Sequence, residues 1–466
     1  MERLTGRVLY PGDAGWDAAR HGFALWPDYE AHRPRAVAFC QDADDVANAV
    51  LWARENDAPP RPRCGRHNYE GWSSLVKDGL IIDVSDINGV RVCRDSGTAH
   101  VGAGLDMLDL SEALGQVGVT FPHATGKTVG LSGLTLGGGF GVTTRKWGLT
   151  CDNLVEVEMV TAAGGAVRAS AAENPDLFWA CQGGGGGNFG VATAFTFTTH
   201  PAGNVALFSI TWPWEAFEAV VTAWQGWATD VDDGLTSFLT LLSSRTLTMQ
   251  GQWTPDGDAD LPRINALLAP MLAAAGPQSV SVQTLPSQNA ARVFLGVDPL
   301  QPEWWVQKHS DTQIFKSSSA LAYQPFPAEA IALLKSRLEA CPALSAAPSQ
   351  PSMIQLLGGG GAMSRVAPTA TAVWHRATRF VVQYDAYWTA PEDGRKTLDW
   401  ITAFRRDMEP YTVGAYVNYA DDRLKDPLRQ YYGDNLARLV EIKRRWDPDN
   451  LFRFPQSIPL CLPPAG

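Results

Sequence analysis

Closely spaced cysteines are missing from this sequence. Its seven cysteines are scattered without CxxC spacing, and an odd number cannot all pair with one another. Structural zinc sites need clustered cysteine and histidine ligands. The sequence therefore predicts reduced thiols and no metal centre.

Positive charge and long apolar runs are also scarce. The formal net charge is -11 at pH 7, which argues against a nucleic-acid partner because such binding relies on many Lys and Arg contacts to phosphate. The segment from Met1 to Arg20 has no unbroken apolar core of signal-peptide length, and no segment elsewhere is long enough to cross a bilayer. We therefore expect no nucleic-acid or membrane partner and a cytoplasmic location.

What the sequence does contain is enough apolar surface for a globular fold. Hydrophobic residues make up 45% of its 466 positions and charged residues 19%, a composition typical of globular proteins. The length exceeds one ordinary core at roughly 150 residues per domain. We therefore expect two domains.

The two parts of the chain differ in their patterns. In the first part, short apolar segments such as Gly79 to Val84 alternate with glycine clusters, which predicts a sheet-rich region. From about Pro201, strand-like runs such as Leu235 to Leu242 alternate with helical runs such as Pro391 to Arg406. This second pattern predicts an antiparallel sheet covered by helices. Near the C-terminus, a Tyr-rich strand and then a helix over Leu428 to Arg445 are expected.

The segment Arg63-Cys-Gly-Arg-His-Asn-Tyr-Glu-Gly71 presents one histidine in a turn-rich stretch. Glycine lets the backbone come close to a flat or anionic ligand. A neutral imidazole nitrogen is nucleophilic enough to bond to an activated methyl carbon, such as the one on the benzenoid ring of a flavin. His67 is therefore a candidate for covalent flavin attachment. The alternative is a loop histidine bonded only to its neighbours.

Two dense glycine clusters follow, Gly130 to Gly141 and Gly183 to Gly190. Backbone N–H groups free of side chains can bind a diphosphate. Neither cluster matches the GxGxxG pattern in its strand-to-helix context, so a nicotinamide-type Rossmann site is not indicated. Flexible turns without a ligand are the alternative interpretation.

In their joint order, these segments resemble the berberine-bridge-enzyme-like flavin oxidases, within the wider group that includes vanillyl-alcohol oxidase. The resemblance spans most of the chain. The segments that carry it are Gly65 to Ser73, Gly79 to Asp83, Thr128 to Gly141, Arg145 to Leu149, Asp152-Asn153, Asp176 to Trp179, Gly190, Tyr416 to Tyr419, Asp447 to Asn450 and Gln456 to Pro459.

The resemblance implies an α+β, two-domain fold of the PCMH-type FAD-binding class, with an antiparallel-sheet substrate domain covered by helices. Residues 1–200 would form the FAD-binding domain, residues 201–408 the substrate-binding domain, and residues 409–466 a segment that returns to the FAD domain. The implied cofactor is FAD, covalently bound to His67. The other residues assigned to the cofactor are Arg63, Gly65, Arg66, Asn68, Thr128, Val129, Gly130, Gly133, Gly137, Gly138, Gly139, Gly141, Asp152, Asn153, Gly190, Val191 and Asn418.

Two positions depart from the family pattern. Many relatives add a second flavin bond from a cysteine, and Gly126 stands at that position here. The resemblance therefore implies a tether through His67 only, and with it a milder oxidant and a narrower pocket. Arg66 stands where relatives usually have glycine; it would place a positive charge near the flavin or point to solvent.

Tyr416-Val-Asn-Tyr419 is expected to form a strand, and the resemblance selects Tyr419 as the catalytic base. Removal of a proton from a substrate C–OH must accompany hydride transfer to the flavin, and a phenol with a pKa of about 10 must first be tuned downward. From the residues alone, a core tyrosine with a satisfied hydroxyl is the alternative.

Gln383, Asp385 and Tyr387 are predicted to share one face of a strand, because side chains two positions apart point to the same side of a sheet. This polar stripe predicts a substrate pocket, in which Asp385 could take a proton from the phenol, as in sugar-oxidising relatives with a similar Gln-x-Asp pair. An exposed edge strand is the alternative. Gly359 resembles part of a glycine turn that borders the substrate site in the family.

The resemblance thus implies an FAD-dependent oxidase of a small organic substrate (alcohol, sugar, alkaloid or polyketide-type), in bacterial secondary metabolism. Hydride would pass to the flavin, and O2 would reoxidise it with release of H2O2. The alternatives are a dehydrogenase that does not use O2, a flavin-dependent cyclase or isomerase, and a non-catalytic binder. The aromatic residues expected to stack on the substrate are Trp304, Trp305, Trp374, Tyr384 and Tyr387.

Overall fold

The computed structural model describes residues 4–298 and 314–463. The strands of the first part of the chain are β1 (Val8–Leu9), β2 (Ala36–Phe39), β3 (Pro60–Arg63), β4 (Leu80–Asp83), β5 (Val90–Cys93), β6 (Thr98–Gly102), β7 (Val119–Thr120), β8 (Leu154–Thr161), β9 (Ala166–Ser170), β10 (Gly190–Thr198) and β11 (His200–Pro201). Its helices are α1 (Trp16–Arg20), α2 (Ala43–Glu55), α3 (Met107–Gln116), α4 (Leu131–Leu136), α5 (Thr144–Trp147) and α6 (Pro175–Cys181).

Two sheets organise this first part. The order is β1-β2-β4-β3 in the four-stranded sheet and β5-β6-β10-β8-β9 in the five-stranded sheet. β2, β3 and β4 pair in parallel, and all four residues of β4 are buried, as expected for parallel strands covered on both faces. Helix α2 packs against β4 of one sheet and β8 and β10 of the other. The apolar face of this helix therefore joins the two sheets into one core.

A seven-stranded sheet forms the second part. Its strands are β12 (Asn204–Trp212), β13 (Leu235–Leu242), β14 (Leu247–Trp253), β15 (Ser279–Pro286), β16 (Phe315–Ala322), β17 (Met353–Gly358) and β18 (Phe380–Tyr387). The helices of this part are α7 (Phe217–Asp230), α8 (Leu261–Ala274), α9 (Ser287–Phe294), α10 (Ala328–Glu339), α11 (Ala362–Arg365) and α12 (Pro391–Asp407).

The two faces of this sheet have different neighbours. The strand order is β15-β12-β14-β13-β17-β18-β16, and all neighbouring strands are antiparallel. On one face, Val382 and Tyr384 join a core built with helices α7, α10 and α12. On the other face, Phe238, Leu357 and Val381 pack against residues of the first part. The predicted antiparallel sheet covered by helices is confirmed, and its second face turns toward the first part.

The C-terminal segment packs on the first part. Helices α13 (Pro427–Tyr432) and α14 (Leu436–Trp446) contribute buried residues to the same core as β2, β4 and β10. The continuous helix predicted over Leu428 to Arg445 is wrong, because a 3-10 turn over Gly433–Asn435 interrupts it. Gly433 has φ +47 and lies against the Trp374 ring, a conformation that favours glycine. On this distribution of core residues we propose residues 1–200 with 409–466 as one domain and 201–408 as the other.

Arg145 connects the two parts of the chain through hydrogen bonds. Its guanidinium is buried and donates to the carbonyl oxygens of Leu235 at 2.8 Å, Val231 at 2.6 Å and Gly359 at 2.6 Å. The arginine lies on α5, whereas its acceptors lie at the end of α7 and on the seven-stranded sheet. Within residues 4–298 and 314–463, no helix has the length and hydropathy needed to span a bilayer.

Candidate active site

A cavity of about 550 Å³ lies between the two parts. Its walls come from the loop after β3, the segment leading into α4, the glycine loop before β10, one face of the seven-stranded sheet, and the turn around Tyr419. Of the residues assigned to the cofactor, those that line it are Gly65, Arg66, His67, Asn68, Val129, Gly130, Gly133 and Asn418. The predicted catalytic and substrate residues that line it are Gln383, Asp385, Tyr387 and Tyr419.

Two glycines allow the cavity's loops to cross. A Cβ atom on Gly65 would lie 2.2 Å from the Gly130 nitrogen, and one on Gly130 would lie 2.3 Å from the Gly65 nitrogen. Real side chains do not approach backbone so closely, so only glycine permits this crossing. The crossing places the loop that carries His67 directly over the segment that carries Thr128.

His67 is held on two sides. Its Nε2 lies 2.7 Å from the Thr128 hydroxyl, and its ring stacks on Phe23 with ring centroids 4.2 Å apart. Burial lowers the pKa of His67 to about 4, so the imidazole is neutral near pH 7. A neutral imidazole keeps the lone pair that a nucleophile needs.

The glycine loop before β10 leaves open space opposite α4. A Cβ atom on Gly133 would meet nothing within 4 Å, and the nearest atom to one on Gly186 would be the Gly133 Cα at 3.7 Å. Asn188 shapes this loop, because its Nδ2 donates to the Gly184 carbonyl at 3.1 Å and its Oδ1 accepts from the Ile458 nitrogen at 2.9 Å. Side chains at the two glycines would fill a space that suits a diphosphate-containing cofactor.

Arg66 lines the cavity, and 33% of its side chain is exposed. Its backbone has φ +65, a conformation that favours glycine, which gives a physical reason for the glycine that relatives carry. Its Nη1 donates to the Ala18 carbonyl at 3.0 Å, and its Nε lies 3.8 Å from Asp83 Oδ2. Gly126, where relatives have a cysteine, also lines the cavity.

Asp385 is the buried carboxylate of the sheet face. Burial raises its pKa to about 6, although neighbouring Gln383 and Ser317 oppose the rise. Gln383 Nε2 donates to Oδ2 at 2.8 Å. Within the described residues, Oδ1 is buried without a hydrogen-bond partner. β18 lies between β17 and β16, so the alternative of an exposed edge strand is wrong.

Three tyrosines of the cavity wall, Tyr69, Tyr416 and Tyr419, pack against one another. The rings of Tyr69 and Tyr419 stack with centroids 5.5 Å apart, and the Tyr416 and Tyr419 rings meet edge to face at 5.1 Å. Tyr416 accepts hydrogen bonds from the Gly139 nitrogen at 2.9 Å and from Asn418 Nδ2 at 3.0 Å. Through these two hydrogen bonds, the phenol of Tyr416 stabilises the turn that contains Tyr419.

The structure corrects the strand expected at Tyr419 and shows how the surrounding protein changes the pKa of this residue. Residues 416–419 form a turn, with the Tyr419 nitrogen donating to the Tyr416 carbonyl at 2.9 Å, and not a strand. Burial raises the pKa of Tyr419 well above its usual value, and the neighbouring Tyr69, Tyr416 and Asp385 add to the rise. The protein groups therefore keep the phenol neutral, and the lowering of its pKa by a nearby cation or by the flavin stays a prediction.

Tyr69 is the site residue that the sequence analysis missed. It lines the cavity, stacks on Tyr419, and lies beside Gln383. The available signal was its position two residues after His67 in an irregular loop. That spacing alone does not show which side chains across the cavity it meets.

Three residues assigned to the cofactor lie away from the cavity. Arg63 is buried, with its Nε donating to Asp83 at 2.6 Å. Asp152 is paired with Arg376 at 2.7 Å. Asn153 donates to two backbone carbonyls at 3.0 Å each. These side chains hold loops in place, and the geometry gives them no contact with the cavity.

Several glycine assignments have structural explanations instead. Gly359 donates from its nitrogen to the Arg379 carbonyl at 2.7 Å, outside the cavity lining. A Cβ atom on Gly141 would lie 1.9 Å from the His123 carbonyl oxygen. The other assigned backbone positions that do not line the cavity are Gly137, Gly138, Gly139, Gly190 and Val191. Gly190 and Val191 begin β10 and pair with β8.

The aromatic residues predicted to stack on the substrate do not all lie at the cavity. Trp304 and Trp305 lie outside the described residues. Trp374 packs against Gly433, and Tyr384 faces Phe404 on the opposite side of the sheet, with ring centroids 5.6 Å apart. Of the described members, only Tyr387 lines the cavity.

An ionic cluster lies behind the tyrosines. The ammonium group of Lys316, on β16, contacts Glu70, Asp421 and Asp422. Glu70 follows Tyr69, and Asp421 lies two residues after Tyr419. The cluster therefore ties the sheet to both loops that present tyrosines, and the lysine occupies the centre of this carboxylate group.

Known proteins match this chain along almost its whole length. A family model described as FAD binding domain matches residues 34–170, and one described as Berberine and berberine like matches residues 415–459. The uncharacterized FAD-linked oxidoreductase YgaK of Bacillus subtilis is 39% identical over 463 residues, which cover 98% of this chain and 97% of the relative. Xylooligosaccharide oxidase of Thermothelomyces thermophilus is 30% identical over 446 residues, which cover 92% of this chain and 87% of the relative.

The same likeness holds for solved structures. BBE-like 1 of Physcomitrella patens has a TM-score of 0.91 and 28% identity to this chain, with 99% of this chain and 98% of that chain covered. The predicted α+β fold of the PCMH-type FAD-binding class is thereby confirmed, and the protein is an FAD-dependent oxidoreductase. The chain belongs to the family of berberine-bridge-enzyme-like FAD-linked oxidases.

Proposed function

We propose that the protein oxidises a C–OH group of a small polyhydroxylated substrate with FAD and passes the electrons to O2. The observation that carries this proposal concerns Asp385, which lines the cavity together with Tyr69 and Tyr419: its buried Oδ1 has no hydrogen-bond partner among the described residues. An unsatisfied buried acceptor costs about 1–3 kcal/mol. A substrate hydroxyl is a donor that would remove this cost.

The residues of the cavity fit FAD. His67 would carry the covalent bond as the sole tether, since Gly126 offers no side chain. Gly130, Gly133 and Gly186 would lie along the cofactor, because open space or bare backbone faces the cavity at these positions. When bound, FAD supplies an acceptor for the hydride that leaves the substrate carbon.

The side chains would carry the proton of the substrate hydroxyl away through two groups, Tyr419 and Asp385. Tyr419 is a neutral phenol in the free protein, since burial raises its pKa. Asp385 has a pKa of about 6, so it is ionised near pH 7. Tyr419 would therefore release its proton toward Asp385 as it takes one from the substrate hydroxyl, while Gln383 holds the carboxylate through Oδ2. Tyr69 would orient the same hydroxyl.

A sugar or a related polyol is the substrate class that the walls support best. The sheet side of the cavity presents hydrogen-bonding groups at Gln350, Gln355, Gln383, Asp385 and Tyr387. Such groups suit a ligand with several hydroxyls. Among the relatives, the xylooligosaccharide oxidase and a chitooligosaccharide oxidase carry the names of sugar substrates.

Peptide mass spectrometry and a peroxide assay test the proposal. Trypsin should release His67 to Lys77 with an FAD-derived adduct, and a panel of mono- and oligosaccharides should include substrates that yield H2O2. Asp385→Asn should lower kcat by roughly 10²- to 10⁴-fold with unchanged flavin content. Asp393→Asn, at a buried carboxylate on α12, is the matched control.

Each measurement has an outcome that would contradict one part of the proposal. Free FAD after denaturation would keep the enzyme and remove the tether. Substrate oxidation with an artificial acceptor but without peroxide would show a dehydrogenase. Full activity in Asp385→Asn would remove the carboxylate from the mechanism.

A further inference from the structure

We propose that Thr128 sets the tautomer of His67 and thereby makes the histidine competent to form the flavin bond. This inference rests on the proposed function, in which His67 carries FAD. Thr128 would accept a hydrogen bond from the Nε2 proton and leave the lone pair on Nδ1. Thr128 is then a positioning residue for cofactor attachment, acting through His67.

The hydrogen bonding distinguishes the two ring nitrogens. Nε2 lies 2.7 Å from the Thr128 hydroxyl, and Thr128 is not among the residues that line the cavity, whereas His67 is. Across the described part of the chain, no hydrogen bond is formed by Nδ1, and the residue that carries it lines the cavity. Nδ1 is therefore the nitrogen that is free to react.

The surroundings keep the ring in this orientation. Exchange of the two nitrogens needs a half-turn of the imidazole, and Phe23 lies flat on the ring with an interplanar angle of 20°. The Phe23 nitrogen donates to the Arg66 carbonyl at 2.9 Å, which ties this aromatic side chain to the same loop. The Gly65–Gly130 crossing holds the loop that carries His67, because the two backbones are in direct contact there.

The tautomer matters because a neutral imidazole has one lone pair in the ring plane. With the proton on Nε2, the lone pair is on Nδ1 and can bond to the methyl carbon on the flavin's benzenoid ring. That carbon and Nε2 each give up one proton, and the flavin takes up both protons and the two electrons. O2 then restores the oxidised flavin and is reduced to H2O2.

Variants of the holoenzyme test this role through the attachment itself. In Thr128→Val the shape is kept and the acceptor is lost, so attachment should be roughly 10²-fold slower, and most FAD should be released on denaturation. Thr128→Ser keeps the hydroxyl and should restore attachment. Thr236→Val changes a buried threonine on β13 that does not line the cavity, and it should behave as the wild type.

The readouts are the fraction of the His67 to Lys77 peptide that carries the adduct and the flavin fluorescence of the denatured chain. Binding of FAD by the folded protein is measured separately by its absorbance. Thr128→Ala, which removes the hydroxyl without a second methyl group, repeats the test if the valine variant does not fold. Wild-type attachment in a folded variant without the hydroxyl would overturn the inference. A wild-type protein without an adduct would instead overturn the tether in the proposed function.

Discussion

At the residue scale, the pKa of Asp385 predicts how activity depends on pH. Burial raises this pKa to about 6, and the carboxylate accepts a proton only when it is ionised. We expect kcat/KM to rise with pH through about 6 and then to level off. The measurement is a pH profile of peroxide formation.

The same pH profile is measured for Asp385→Asn as a comparison. The residual activity of this variant should not show the rise of kcat/KM through about pH 6. If the variant showed the same rise with the same midpoint, the rise would belong to another titrating group. Glu70 is the group to examine next, because burial raises its pKa to about 7 and it lies beside the tyrosine loops.

A second residue-scale prediction compares Tyr419, at the cavity, with Tyr384, on the face of β18 that points away from it. Tyr419→Phe removes the hydroxyl that would take the substrate proton, and kcat should fall by roughly 10²-fold or more. Tyr384→Phe is the control: its hydroxyl is buried on the opposite face of the sheet and has no partner within residues 4–298 and 314–463. Steady-state kinetics of both variants, with flavin content measured in parallel, makes the comparison. Equal losses in the two variants would indicate a structural effect.

At the scale of elements, the crossing of the two cavity loops depends on glycine. Gly65→Ala should lower the free energy of unfolding by about 1–3 kcal/mol or more, because the new methyl group would lie 2.2 Å from the Gly130 nitrogen. FAD binding should fall with it, since both loops line the cavity. Thermal unfolding and flavin absorbance measure the two effects.

Gly89→Ala is the matched control for this change. A Cβ atom there would meet nothing within 4 Å, and surface changes of this kind alter stability by about 0.5 kcal/mol or less. A Gly65→Ala protein as stable as Gly89→Ala would contradict the close crossing.

At the scale of the whole molecule, the cavity exists only while the two parts stay docked. Arg145 donates to carbonyls of the second part from a fully buried position. Arg145→Met should therefore destabilise the protein by roughly 3–5 kcal/mol, because several buried carbonyls lose their donor. We expect a lower Tm and weaker FAD retention, measured by calorimetry and by flavin release on heating.

Arg365→Met tests an exposed ion pair in the same region. Arg365 lies 2.6 Å from Asp233, with 63% and 44% of the side chains exposed, and such pairs contribute about 0–1 kcal/mol. Its Tm should stay near that of the wild type. If Arg145→Met changed the Tm no more than Arg365→Met does, the docking role of Arg145 would be wrong.

The sequence by itself determined the family, the fold class and the regular elements with strong local patterns. The strand over Leu235 to Leu242 matches β13, and the helix over Pro391 to Arg406 matches α12 to within one residue. These elements follow from side-chain periodicity among near neighbours in the chain. The His67 segment and the glycine clusters were also recognisable, because each is a contiguous motif.

Only the tertiary structure decided which of these residues meet. Tyr69 beside Tyr419, Thr128 beside His67 and the free oxygen of Asp385 all depend on contacts between segments far apart in the chain. A turn at residues 416–419 also replaced a predicted strand. Two contacts with the distant glycine-rich segment hold it: the Tyr416 hydroxyl accepts from the Gly139 nitrogen, and Asn418 Nδ2 donates to the Leu134 carbonyl. Local sequence patterns do not encode such contacts, since they arise when the two parts pack around the cavity.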